Sequence, residues 1–210
     1  MMSVVERVWS ELETRMVLEG VEWETYVALA DQRRGSVPRM SYDNGVLEMM
    51  SPKREHENIG CLIGRMIETY SEVKNIEIIS VASVTVKRSD LSKAFEADES
   101  YYVRNAGHLL AKKELDFSID PAPDLVVEVE MTSSAINKMQ LFAAMGVLEV
   151  WRHDGHRLQI AELVDGVYQP VPSSLQLPGL TAAQVDEVLS QRNTTGETKL
   201  IQDFRARVSF

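Results

Sequence analysis

The chain has one cysteine, Cys61, in 210 residues, which excludes an internal disulfide and makes a reducing cytoplasm the expected setting. In an apolar helical stretch that thiol reads as a small core residue. No run reaches the roughly 18 uncharged apolar residues of a membrane span. The opening MMSVVERVWSELETR mixes acids into its apolar positions and lacks a signal-peptide core. There is no phosphate-cradling glycine loop, no GxSxG elbow and no CxxC pair. His108, His153 and His156 fall in loop or turn contexts without the spacing of a zinc site. Positive charge is also short, leaving a formal net charge of −10. Nucleic-acid binding ordinarily needs a basic footprint, so the balance argues against a non-specific coating protein. It still allows an enzyme whose acids are partly neutralised by a metal ion, with basic residues grouped on one face. Lys87, Arg88, Lys93, Arg104, Lys112 and Lys113 are the candidates for that face, or else plain solvating charges.

What is present suits one globular domain over residues 1–210, with 44% apolar and 26% charged residues. The core is expected over about residues 20–190, with an N-terminal helix and a C-terminal tail as decorations. Residues 3–19 read as that helix, and a shorter one follows near Glu24–Asp31. In VPRMSYDNGVLEMM two strand patterns meet at Asn44-Gly45, the pair that a type I′ hairpin turn demands. Ser51-Pro52 looks like a helix N-cap followed by proline at the first helical position. Behind it Ile59, Leu62, Ile63, Met66, Ile67 and Tyr70 define one apolar helical face. Residues 76–87 and 95–103 read as strands, 105–122 as a polar connection, and DLVVEVEM as a further strand. Ser133 or Ser134 can cap a helix over 135–145, which ends at Gly146. Three strands joined at Asp154-Gly155 and Asp165-Gly166 follow, then a helix from near Thr181. This order predicts a mixed α/β (α+β) domain with one central sheet flanked by helices.

Alternation in DLVVEVEM places Asp124, Val126, Glu128 and Glu130 on one face of the strand. Asp124 and Glu128 lie about 13 Å apart along it, too far to grip one ion together. A second ligand must come from another strand, and Asp98 in FEADESYYV is the best placed. Such a carboxylate pair suits magnesium, which takes few protein oxygens and completes its octahedron with water or phosphate. Lys138 falls in the first turn of its helix, where the macrodipole disfavours a cation. It shares a face with Leu141, Phe142 and Met145, so it needs an anionic partner, and the acids of the preceding strand are nearest in sequence. His56 is in register with Ile59 and Ile63 on the core side, and Glu48 ends the second hairpin strand; both are secondary candidates.

Four ordered segments, GVLEMMSPKREHENI, FEADESYYV, PDLVVEVEMTSS and KMQLFAAMGVLEVW, resemble the Uma2 family of restriction-endonuclease-like proteins common in cyanobacteria. The resemblance runs from about residue 20 over most of the chain. It implies a PD-(D/E)XK nuclease core, with Asp98 as the first strand acid and Glu128 as the second. The lysine usual two residues after the second acid is absent, since that position is Glu130; Lys138 matches the family's lysine on the next helix. Ala97 and Leu148 stand where the family usually has proline.

The resulting expectation is a cytoplasmic, Mg²⁺-dependent endonuclease acting on nucleic acid, with Mn²⁺ as a substitute and a homodimer as a possible assembly. Asp98, Glu128 and the Val129 carbonyl would hold the ion, and Lys138 would act on the water or the phosphate. Asp124 would bind a second ion or order the strand end. The alternative is a non-catalytic dimeric interaction or regulatory module that keeps the nuclease fold.

Overall fold

A computed structural model describes the backbone of residues 2–9 and the whole of residues 13–209. Two six-stranded sheets share one bent hairpin. The first contains β1 (Ser3–Trp9), β2 (Glu13–Glu19), β3 (Arg39–Asp43), β4 (Val46–Pro52), β6 (Thr85–Arg88) and β7 (Lys93–Glu96). Its order is β1-β2-β4-β3-β7-β6 and every pairing is antiparallel. The second contains β5 (Ile79–Ser80), β8 (Glu99–Tyr102), β9 (Leu125–Val129), β10 (Glu149–His153), β11 (Leu158–Val164) and β12 (Val167–Pro170). Its order is β12-β11-β10-β9-β8-β5, with β9 and β10 parallel and the other pairs antiparallel. The predicted mixed central sheet is this second one, and the expectation of a single sheet is corrected by the first.

The correction has a local cause. Residues 76–87 and 95–103 do not form two straight strands, because each turns a corner. The chain passes from β5 to β6 through Ala82, which has a φ of 46°, and from β7 to β8 through Ala97-Asp98. Each strand therefore begins in one sheet and ends in the other.

Six α-helices complete the described residues: α1 (Trp23–Gln32), α2 (Arg54–Lys74), α3 (Ala106–Leu109), α4 (Lys138–Met145), α5 (Ala182–Leu189) and α6 (Glu197–Val208). The apolar face of α2 packs with Leu125, Val127 and Val129 of β9 and with α5 and α6. Gly64 permits this approach, since a Cβ there would lie 2.9 Å from the Tyr101 hydroxyl. On the other side of β9, Val126 packs with Phe95, Leu141 and Phe142. The parallel β9–α4–β10 unit thus lies between two apolar layers.

Several further expectations change. Residues 3–9 and 13–19 are strands rather than a helix, and residues 10–12 lie outside the described residues. The β-branched content of SVVERVW and the period-two burial of ETRMVLE suit an edge added to β4. Ser51-Pro52 ends β4, and Lys53 stands at the N-cap of α2. Helix α4 starts three residues later than expected, capped by the Asn137 side chain, which accepts from the Gln140 amide. The C-terminal segment is no decoration: Leu200, Ile201, Phe204 and Val208 of α6 are buried in the core. Cys61 is exposed rather than buried. Of the basic candidates, Lys87, Arg88, Lys93 and Lys112 pair with Asp31, Asp90, Asp43 and Asp120, and Lys87, Arg88, Lys112 and Lys113 line one cavity.

Candidate active site

The corner between β7 and β8 places Asp98. Its amide donates to the Val127 carbonyl at 3.1 Å, so the ladder to β9 continues one step past Glu99. The backbone then leaves for the other sheet, and the next inward amide of β9 would lose its partner. The Asp98 side chain supplies one: Val129 N–H donates to Oδ2 at 2.6 Å. A buried amide needs such an acceptor, and the bond fixes the carboxylate against the end of β9.

Glu128 reaches the same region from β9. Its neighbours Val127 and Val129 face α2, so alternation turns Glu128 toward α4. Lys138, the first residue of α4, places Nζ 3.3 Å from Glu128 Oε1 and donates to Ser41 Oγ at 2.7 Å. All three side chains are buried. Burial pushes the Glu128 carboxyl up to about 7 against the opposing pull of Lys138, and the nearby Asp98 charge adds to the rise. Burial likewise raises Asp98, against Arg39, the Val129 amide and Lys138. The two acids therefore sense each other, and Lys138 acts on both.

Sheet pairing supplies the remaining charged groups. In the first sheet Arg15, Met50 and Arg39 form one cross-strand row, and Val17, Glu48 and Ser41 form the next. This face looks toward β9 and α4. The opposite face carries Leu18, Met40, Tyr42 and Leu47, packed with Tyr26 of α1. Arg39 pairs with Asp98 Oδ1 and, at 3.0 Å, with Glu57 Oε1. Arg15 pairs with Glu48 and, at 2.5 Å, with Glu13 Oε1. The His56 ring lies between these groups, with Nδ1 3.7 Å from Asp98 Oδ1 and Nε2 4.0 Å from Glu13 Oε2. Burial and Arg39 lower its pKa, so neutral imidazole is the favoured form at pH 7. A cavity of about 40 Å³ beside Arg39, His56, Glu57, Gly60 and Asp98 has room for one or two waters.

Asp98, Glu128, Lys138, Val129 and His56 thus come together, with Glu48 one step behind them. Asp124 does not join them. Its carboxylate accepts from the amides of Val103 and Asn105, both at 2.8 Å, and from Asn105 Nδ2 at 2.5 Å. It orders the turn after β8 at the other end of β9. Arg15, Arg39, Ser41 and Glu13 were not foreseen. Their signal was the alternation in ETRMV and RMSYD, which puts polar residues on one face, but the first segment read as part of a helix and the second as an ordinary hairpin strand.

The donor set suits a hard cation. It offers carboxylate and carbonyl oxygens in a buried setting, and Asp98 Oδ1 accepts no hydrogen bond, with the Arg39 guanidinium and the His56 ring beside it. Among the described residues no three His, Cys, Asp or Glu side chains converge as a ready-made cage. Magnesium, which keeps several waters, does not require one.

Residues 23–195 match the family model described as "Uma2: Putative restriction endonuclease". No curated protein matches the chain. Among solved structures the fold is similar to one titled as a putative nuclease belonging to DUF820 from Anabaena variabilis ATCC 29413. The two share 12% identity and a TM-score of 0.58, over 80% of this chain and 98% of that one.

Proposed function

The chain belongs to the Uma2 family, and from that premise we propose that it is a Mg²⁺-dependent endonuclease hydrolysing phosphodiester bonds of nucleic acid. The family's description and the nuclease fold support the nuclease reading; the metal and the residue roles are our own assignment. The observation that carries it is the convergence of Asp98, Glu128 and Lys138 from three different elements. Ion pairs made only for stability gain little from such burial, because desolvation offsets most of the attraction.

Asp98 and Glu128, with the Val129 carbonyl, would hold the ion. Bound there, Mg²⁺ supplies a Lewis acid for the phosphate and an acidified water. The protein's own contributions are orientation and charge. The Val129 amide fixes the Asp98 carboxylate. Ser41 and Glu128 fix Lys138, whose ammonium meets charge growing on a phosphate oxygen or orients the attacking water. Arg39, held on Asp98 and Glu57, is a guanidinium that would suit a phosphate oxygen.

One observation favours the rival reading of a non-catalytic module: each acid already has a cationic partner, Arg39 for Asp98 and Lys138 for Glu128. Incubation with mixed single- and double-stranded DNA and RNA, in Mg²⁺ or in chelator, separates the two. Nuclease action gives Mg²⁺-dependent cleavage that Asp98→Asn and Glu128→Gln abolish. Cleavage equal in all three proteins would show a contaminant and refute the assignment.

A further inference from the structure

The connection between β9 and α4, residues 130–137, links Glu128 to Lys138 and has no regular structure between Met131 and Asn137. Side chains from the first sheet hold it. Glu48 accepts from Ser134 Oγ at 2.9 and 3.0 Å and from the Ala135 amide at 2.7 Å. Glu13 accepts from the Thr132 hydroxyl. Arg15 ties these anchors together. One terminal nitrogen pairs with Glu48, and the other pairs with Glu13 and donates to the Thr132 carbonyl at 3.4 Å. Only 4% of Arg15 is exposed, so solvent contributes little to its partners. Both Glu13 and Arg15 lie on β2, outside the stretch matched by the family model.

We propose that Arg15 is a positioning residue for Lys138, acting through Glu48 and the 132–135 connection, so that β2 is part of the working site. The catalytic consequence rests on the nuclease reading; the positioning itself does not. Arg15 can span two carboxylates because a guanidinium presents several donors in a fixed fork. A lysine would keep the charge but offer a single ammonium, unable to hold Glu13, Glu48 and Thr132 in one geometry. With that brace loosened, Glu48 gains freedom and the Ala135 amide loses its fixed acceptor. Lys138, three residues further on, then loses its register against Glu128.

The test uses the full chain with Arg15→Lys, Lys138→Met and the double variant. Hydrogen exchange is read at the Ala135 amide and, as a control, at the Glu149 amide, which donates to the Asp124 carbonyl at the other end of β9. Arg15→Lys should speed exchange at Ala135 about tenfold and leave Glu149 unchanged, since local opening is separable from global unfolding. Mg²⁺-dependent kcat should fall about tenfold with KM little altered. In the Lys138→Met background Arg15→Lys should cost nothing further, because residues acting as one unit are not additive. Unchanged Ala135 exchange, equal acceleration at both amides, or fully multiplicative losses would each overturn the proposal. Should Arg15→Lys not fold, Arg15→Met with Glu13→Gln removes one charge of each sign and is read the same way. If the wild type shows no Mg²⁺-dependent cleavage, the functional reading fails while the exchange arm still decides the positioning claim.

Discussion

Removing the Lys138 ammonium bears on both stability and chemistry, and the structure sets the size of the effect. Lys138 Nζ is 3.3 Å from Glu128 Oε1, with 9% of the lysine and 5% of the glutamate exposed. At an effective dielectric of about 20 the attraction at that distance is roughly 5 kcal/mol. Breaking a buried pair by deleting one partner costs about 3–5 kcal/mol, because the remaining charge is left uncompensated. For a chain of this size that corresponds to a fall in Tm of roughly 6–20 °C. The penalty should depend on pH. Burial already raises Glu128 to about 7 in the folded state, against an ordinary value of 4.5. A raised folded pKa means that the folded state holds the proton more tightly, so stability falls as pH rises across that window. Lys138→Met raises the folded value further. Its penalty should therefore be small at pH 5, where Glu128 is neutral, larger by about 1.4 kcal/mol at pH 8, and full only above the raised value of the variant. Thermal unfolding of wild type and Lys138→Met at both pH values, with and without Mg²⁺, measures this. Added Mg²⁺ should stabilise the variant more than the wild type, by replacing the missing positive charge. Cleavage should drop by roughly 10²–10³-fold, the usual loss of one preorganised charge stabiliser. A penalty equal at pH 5 and pH 8 would refute the pairing of Lys138 with Glu128.

Three further outcomes follow from other contacts. Arg39→Met should raise Mg²⁺ affinity in a calorimetric titration, since the guanidinium on Asp98 repels a cation, yet weaken nucleic-acid binding measured by salt-dependent gel shift; lower Mg²⁺ affinity would contradict this. His153 is buried and held neutral, with its pKa lowered to about 4, and Nδ1 accepts from the Gly155 amide at 3.0 Å. As pH falls from about 6.5 to 4 the unfolded chain takes the proton first. The wild type should then lose up to about 3 kcal/mol that His153→Gln does not lose, read by urea unfolding at both ends of the range. Asp124→Asn should lower stability by about 1–3 kcal/mol through the Val103 and Asn105 bonds while leaving Mg²⁺ affinity unchanged, and lost binding would return Asp124 to the metal site.

The parts of the fold that could be read from sequence were those with a local signal. Asn44-Gly45 adopts positive φ at both positions, as its turn requires, and the apolar stripe of α2 is buried throughout. Gly146 ends α4 with a φ of 84°. What stayed hidden depended on pairing between distant segments. Residues 13–19 gain their strand state from pairing along β4, from Leu18 with Leu47 to Glu13 with Pro52, and that pairing outweighs the helical spacing. The corner at Asp98 looked like the middle of one strand, because nothing in FEADESYYV announces a change of sheet. Of the site, strand parity located Glu128, and the helix dipole singled out Lys138. Arg15 escaped because its segment read as a helix, and Arg39 because an arginine on a hairpin strand reads as solvated; only the register that sets Arg39, Met50 and Arg15 in one row turns them inward.

The central claim is that Asp98 and Glu128 hold a divalent ion, and calorimetric titration of Mg²⁺ into the wild type, Asp98→Asn and Glu128→Gln tests it without requiring a known substrate. The account predicts saturable Mg²⁺ binding in the wild type, with Mn²⁺ able to compete, and loss of that binding in each variant while thermal unfolding shows both still folded. No saturable binding in the wild type, or equal binding in all three proteins, would contradict it.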